Sequence, residues 1–204
     1  MSEATRLVAE LRPHVADERV LRAIERVPRE AFVPDDMREH AYDNTALGIG
    51  CGQTISQPLV VARMTELLEL GRDDRVLDVG TGSGYHAAIL ATLAAHVWSV
   101  ERHGDLSRSA AGALERAGIA NVTLVVGDGS LGLPDEAPFD AINVAAAGGR
   151  EALGALEEQL APGGRLVAPV TGRRQRLAVA RRERGRVRWR ELEEVRFVPL
   201  VRDG

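Results

Sequence analysis

The chain has 204 residues, 45% of them hydrophobic, and a formal net charge of -4 at pH 7, which suits one domain with a proper core and argues against a nucleic-acid binder. All 26 residues pooled as lysine plus arginine are arginine, which excludes Schiff-base chemistry, a P-loop lysine and a lysine general base. Cys51 is the single cysteine, no apolar run reaches the roughly 18 residues of a membrane span, and the N-terminus lacks a signal peptide's apolar core, so a cytoplasmic setting is expected.

In chain order the first elements are helical. Between residues 4 and 33, Leu7, Val8, Leu11, Val20, Leu21, Ile24 and Val27 recur at helical spacing, with Pro13 and Pro28 as punctuation. The stretch "GIGCGQTISQP", Gly48 to Pro58, reads as a Gly-rich polar loop, with Ser56 and Gln57 standing where a helix is about to start. Leu59, Val60, Met64, Leu67 and Leu68 carry that amphipathic helix toward Gly71. From there strands are expected at 75–80, 97–101, 122–127, 139–147 and 164–170, and helices at 85–95, 105–118 and 150–162. This alternation predicts a doubly wound, mostly parallel α/β sheet. Residues 176–200 then alternate polar and apolar about Gly185, the pattern of an antiparallel hairpin on one sheet edge. One domain over 1–204 is expected: a helical region and substrate loop over 1–70, a cofactor-binding core over 71–170, and the hairpin over 171–204.

The most informative octet is "DVGTGSGY", Asp78 to Tyr85. Gly80, Gly82 and Gly84 let the backbone turn tightly against a ligand, and the helix that follows offers amides that favour an anion. A dinucleotide fingerprint needs its third glycine where Tyr85 stands. Glu101 closes the second strand, where an acidic side chain accepts from ribose hydroxyls. Asp128 and Gly129 end the third, where a carboxylate can accept from an exocyclic amine beside a flat ring. Asp78 is costly to bury unless it orients the glycine loop or meets a ligand's ammonium group. The set suits S-adenosylmethionine better than a nicotinamide dinucleotide, because an ammonium needs a partner and no pyrophosphate does.

The blocks "RVPREAFVP", "IGCGQTISQPLVVARM", "VLDVGTGSGYHAAILA", "VVGDGSLG", "PFDAINVAAA", "LAPGGRLVAPV" and "RFVPLV", in that order, resemble the protein-L-isoaspartate (D-aspartate) O-methyltransferase family over nearly the whole chain. The octet is common to many methyltransferases, whereas "GQTISQP" is much more specific. The resemblance implies a class I methyltransferase fold, with a seven-stranded, mostly parallel sheet, a helical N-terminal region and a C-terminal antiparallel hairpin. It implies S-adenosylmethionine as methyl donor and L-isoaspartyl residues of damaged proteins and peptides as acceptors, methylated on the free α-carboxylate so that repair can begin through a succinimide. It places Ser56 at the active-site hydroxyl beside the target carboxylate, in a loop where Gln53, Thr54 and Ile55 help to wrap donor and acceptor. Asp78, Gly80, Gly82, Ser83 and Gly84 match the methionine end of the donor, Glu101 the ribose, and Asp128 with Gly129 the adenine, with Thr81 and Arg102 also among the donor-binding positions. Two departures bear on the substrate cleft: Gly148-Gly149 replace a proline-containing turn at its rim, and Cys51 replaces a bulky residue, which is expected to loosen that wall.

Such chemistry needs few catalysts. A free α-carboxylate has a pKa of about 3.5 and is ionised at pH 7, so no general base is required. Several residues also have blander readings. Cys51 with His40 and Asp43 lacks a surrounding nucleophile motif. His86, in the first turn of a helix, suits a capping or solvated role as well as the edge of a cofactor, and His96 and His103 are not at metal-ligand spacing, so no metal is expected. The arginines from Arg173 to Arg190 invite an RNA methyltransferase reading, yet they alternate with Leu, Val and Trp and are diluted by Glu183, Glu191, Glu193 and Glu194, as on a solvated strand face. The motifs also fit a methyltransferase acting on a small molecule, or an adaptor that binds the donor and damaged proteins without turnover. The favoured expectation is a monomer with no nucleic-acid or membrane partner.

Overall fold

The computed structural model describes residues 1–202; the end of the expected hairpin segment, 203–204, lies outside them. Two helices open the chain, α1 (Glu3–Leu11) and α2 (Glu18–Arg26), and each begins on a side-chain cap, Ser2 accepting from Thr5 N and Asp17 from Arg19 N. Their apolar stripes are buried as the spacing predicts. Two short 3-10 turns, Arg29–Phe32 and Asp35–His40, lead to a feature that the sequence pattern hid. Where a loop is expected, β1 (Leu47–Gly50) and β2 (Gln53–Ile55) form an antiparallel hairpin. Its turn takes Cys51 at φ 50° and Gly52 at φ 68°, two successive left-handed residues whose twist matches that of paired strands. Helix α3 (Pro58–Leu68) starts at a proline, where the missing N–H costs nothing. Glu69 at φ 48°, rather than Gly71, takes the left-handed position that ends it.

The main sheet has the order β5-β4-β3-β6-β7-β8-β9, with β3 (Arg75–Val79), β4 (His96–Glu101), β5 (Val122–Val126), β6 (Phe139–Val144), β7 (Leu160–Thr171), β8 (Gln175–Glu183) and β9 (Arg186–Glu194). Strands β3 to β7 pair in parallel, and β8 and β9 extend the sheet antiparallel. Three helices fill the crossovers: α4 (Tyr85–Ala91), α5 (Gly104–Arg116) and α6 (Gly154–Glu158). The helix expected over 150–162 is shorter, a 3-10 turn (Arg150–Leu153) followed by α6. Pro162 disfavours helix at the residue before it, and β7 has already begun at Leu160.

Alternation within β3 decides what each face of the sheet receives. Val76 packs with Met64 and Leu68 of α3 and Ala87 and Leu90 of α4, while Leu77 and Val79 pack with Ile142, Leu153, Leu156 and Leu166 on the other face. Each fully buried aliphatic side chain contributes about 1.5–3 kcal/mol. Cover on both faces is why the parallel strands read as near-continuous apolar runs. Strand order reverses between β3 and its two neighbours, β4 and β6, which opens a crevice beyond the carboxyl ends of the strands.

Candidate active site

A cleft of about 1040 Å³ occupies that crevice. Three groups of expected residues meet on it: Gln53, Thr54, Ile55 and Ser56 from β2 and its continuation; Gly80, Thr81, Gly82 and Ser83 from the loop after β3; and Glu101 and Arg102 from the end of β4 with Gly129 from beyond β5. Asp78, Gly84 and Asp128 are not among its lining residues, and each has another place.

Gly84 caps α4 and faces α5, where a Cβ would stand 3.1 Å from that of Ala110. It is a packing glycine. Asp128 caps the 3-10 turn that follows it, its Oδ1 accepting from Ser130 N at 2.9 Å, and Gly129 after it lines the cleft. A Cβ on Gly129 would fall 2.6 Å from Val79 Cγ1, hence only bare backbone fits between the strand end and the cleft. Glu101, 6% exposed, accepts from Gly82 N at 2.8 Å and from His103 N at 3.0 Å. Two backbone amides therefore hold its carboxylate at the lip of the cleft, with lone pairs left to accept from a ligand's hydroxyls.

Asp78 is fully buried beneath the glycine loop. Register places Ser99 of β4 and Asn143 of β6 on either side of it, and both donate to its carboxylate, Ser99 Oγ at 2.6 Å and Asn143 Nδ2 at 2.7 Å. Burial pushes the Asp78 carboxyl up to about 6, against the pull of these two donors, and the nearby Glu101 charge adds to the rise. Ser99 Oγ also lies 2.6 Å from Thr81 Oγ1. Asp78 thus orients the glycine loop through Ser99 and Thr81, the first of the two roles that the sequence suggested for it.

The polar line continues through His86, which contacts Asn143 Nδ2 through Nδ1 and Thr65 Oγ1 through Nε2, each at 3.1 Å. Burial drops the His86 imidazole to about 3, so it is neutral at pH 7. His86 is therefore neither a cap nor solvated; it lines the cleft as a member of a buried network that ends at Thr65. Polar residues at 78, 99 and 143 inside otherwise apolar strands were the signal for it.

A further part of the lining escaped sequence reading. Thr45, Ala46 and the segment from Glu194 to Val201 line the cleft. That segment is drawn in by main-chain bonds, Ala147 N donating to Val198 O and Leu200 N to Ala147 O, both at 2.7 Å. The block "RFVPLV" carried the resemblance without disclosing this role. Cys51, by contrast, is exposed at the hairpin turn and does not line the cleft. The turn carries it away, and Ile49 is the hairpin residue that reaches the glycine loop, its Cδ1 3.4 Å from the place of a Gly82 Cβ. Gly148 and Gly149 are also absent from the lining; Gly148 lies against Leu200. The looser wall expected from Cys51 is thus not on the cleft.

The donor set suits an adenosine-bearing methyl donor: a carboxylate pre-held for ribose hydroxyls, a glycine-only edge for a flat ring, and a glycine loop braced from beneath. A sequence profile described as protein-L-isoaspartate (D-aspartate) O-methyltransferase matches residues 2–204. The chain is 52% identical over 192 residues to protein-L-isoaspartate O-methyltransferase 1 of Rhodopseudomonas palustris (strain HaA2), covering 93% of this chain and 78% of that one. It superposes on a solved protein-L-isoaspartate O-methyltransferase with a TM-score of 0.86 at 29% identity, over 96% of this chain and 65% of the other. A Plasmodium falciparum crystal structure in complex with S-adenosyl-L-homocysteine has the same fold, with a TM-score of 0.84 at 24% identity and full coverage of both chains.

Proposed function

We propose, since this chain belongs to the protein-L-isoaspartate (D-aspartate) O-methyltransferase family, that it methylates the free α-carboxylate of L-isoaspartyl residues in damaged proteins and peptides and that Ser56 positions that carboxylate. When bound, S-adenosylmethionine supplies an electrophilic methyl group on a sulfonium centre. The residues of this chain supply the rest. Gly80, Thr81, Gly82 and Ser83 cradle the methionine end of the donor, Glu101 accepts from the ribose, and Gly129 admits the adenine. Asp78 acts behind them, through Ser99 and Thr81.

The observation that carries this reading is that Ser56 lines the same cleft as the glycine loop and Glu101. The acceptor is already an anion at pH 7, so the protein has no proton to remove from it. It has two tasks: to hold one carboxylate oxygen while the other attacks in line, and to keep water away as opposite charges approach. The Ser56 hydroxyl performs the first. The segment from Val195 to Val201, which lines the same cleft as Ser56, bounds the space for an extended peptide. Collapse of the methyl ester to a succinimide follows without the enzyme, so the protein starts repair and does not finish it.

No helix among the described residues is long and apolar enough to cross a membrane. A cytoplasmic monomer without a nucleic-acid partner, working as one domain, completes the proposal. In support, arginines of the hairpin face meet acids: Arg174 pairs with Glu194 at 2.9 Å, Arg176 with Glu191 at 3.8 Å, and Arg181 with Glu69. These pairs offset part of the positive charge of the hairpin, which favours a solvated strand face over a track for phosphates. The test is Ser56→Ala. Loss of one positioning hydrogen bond to a charged group, worth about 1.5–3 kcal/mol, should lower kcat about ten- to hundredfold and leave donor affinity intact. Unchanged kcat across several isoaspartyl peptides would leave Ser56 as only a residue of helix entry.

A further inference from the structure

The Ser56 backbone is held from outside the cleft. Arg29 is fully buried. Its Nε donates to Ala41 O at 2.8 Å, and its Nη2 donates to Ser56 O at 2.9 Å and reaches Thr45 O at 3.4 Å. The same guanidinium lies over the ring of Tyr85, 4.7 Å from its centroid, and Tyr85 is the residue at which the glycine loop becomes α4. One planar cation therefore ties together the segment before the hairpin, the serine after it, and the end of the donor loop.

Among the described residues no carboxylate forms an ion pair with Arg29. A buried cation without one is a poor stabiliser, and an apolar side chain of similar shape would fill the place at lower cost. Fold stability alone does not account for it. Asn44 acts on the other side of the serine. Its Oδ1 accepts from Leu59 N at 3.1 Å, and its main-chain oxygen accepts from Gln57 Nε2 at 2.9 Å. Gln57, at the start of α3, makes no capping bond with its own side chain, so a first-turn amide of α3 is satisfied from across the chain. Ser56 is bracketed, its carbonyl held by Arg29 and the next residues by Asn44.

We propose that Arg29 and Asn44, neither of which lines the cleft, are positioning residues that fix the Ser56 backbone for methyl transfer. The inference rests on the reading of Ser56 given above. Positional catalysis is sensitive to shifts of about 1 Å, and a serine on a freely moving loop could not deliver it. Lysine at 29 keeps the charge but cannot present a planar set of donors to three carbonyls.

The experiment measures kcat on an isoaspartyl peptide and S-adenosylmethionine affinity for Arg29→Lys and Asn44→Ala, each alone and in a Ser56→Ala background, with folding checked by circular dichroism. Each single variant is expected to lower kcat about ten- to hundredfold with donor affinity unchanged. In the Ser56→Ala background neither is expected to lower kcat further, because the residues act through the serine. If Arg29→Lys fails to fold, Asn44→Ala carries the same test from a half-buried position. Additive losses in the Ser56→Ala background, a parallel fall in donor affinity, or unchanged kcat in the single variants would overturn the inference. Were Ser56→Ala alone without effect, the reading of Ser56 would fall first; a loss there combined with additivity would overturn only the roles of Arg29 and Asn44.

Discussion

Asp78 on β3 lies directly across from Asn143 on β6, and the Asn143 amide donates to the Asp78 carboxylate at 2.7 Å in full burial. The folded protein raises this carboxyl from 3.8 to about 6, chiefly by desolvation. Between about pH 4 and 6 the native state then binds more protons than the unfolded chain, so the contribution of Asp78 to stability falls as pH rises through that window. Asp78→Asn is expected to remove this slope, a difference of up to about 3 kcal/mol across it. Thermal midpoints of both proteins from pH 4 to 7 check this; parallel curves would contradict it.

His86 works in the opposite direction. Its folded value, about 3, lies below the unfolded 6.5, so its contribution is whole above about pH 6.5 and is lost as pH falls toward 3. That window is wider than the one for Asp78, so the net acid limb should follow His86. His86→Gln, which can still bond in the space between Asn143 and Thr65, is expected to flatten the acid limb of the stability profile. His86→Leu should flatten it too, but at a cost near pH 7 of about 1–3 kcal/mol from the polar partners left unpaired. Chemical denaturation at several pH values distinguishes the two.

Glu101→Ala removes the acceptor expected to meet the donor's ribose and also releases the amides of Gly82 and His103. S-adenosylmethionine binding should weaken by about 1–3 kcal/mol, measured by calorimetry, and NAD should bind neither protein. Tight NAD binding with none for S-adenosylmethionine would reverse the assignment of the cleft.

Gly129→Ala tests the glycine-only edge. The added methyl would meet Val79 Cγ1 at 2.6 Å, and a β-branched side chain packed in a strand has little room to yield. Overpacking of this kind costs about 1–3 kcal/mol of stability, and donor affinity should fall with it. Gly127→Ala, where nothing lies within 4 Å of the new carbon, is the control and should leave donor binding unchanged.

Much of this was legible in the residues. The βα alternation, the hairpin about Gly185 and the glycine loop each have a local cause, apolar period or turn chemistry, that the sequence displays directly. The β1–β2 hairpin was hidden because Gly48, Gly50 and Gly52 depress strand propensity, while the left-handed pair at its turn includes Cys51, a residue that seldom announces such geometry. The buried line from Thr81 to Thr65 needed strand register to assemble it, and register between β4, β3 and β6 is a tertiary fact. The same holds for the wall from Glu194 to Val201, which lies about 50 residues in sequence from the Ala147 that draws it in. Arg29 stands in the block "RVPREAFVP", but its partners at 41, 45 and 56 became visible only in three dimensions.

The most direct test incubates the protein with methyl-labelled S-adenosylmethionine and two peptides of identical sequence, one containing an isoaspartyl residue and the other a normal aspartyl. Label should pass to the isoaspartyl peptide as an alkali-labile ester and not to its twin, across several flanking sequences. Equal labelling of the two peptides, or labelling of RNA with neither peptide methylated, would contradict the account.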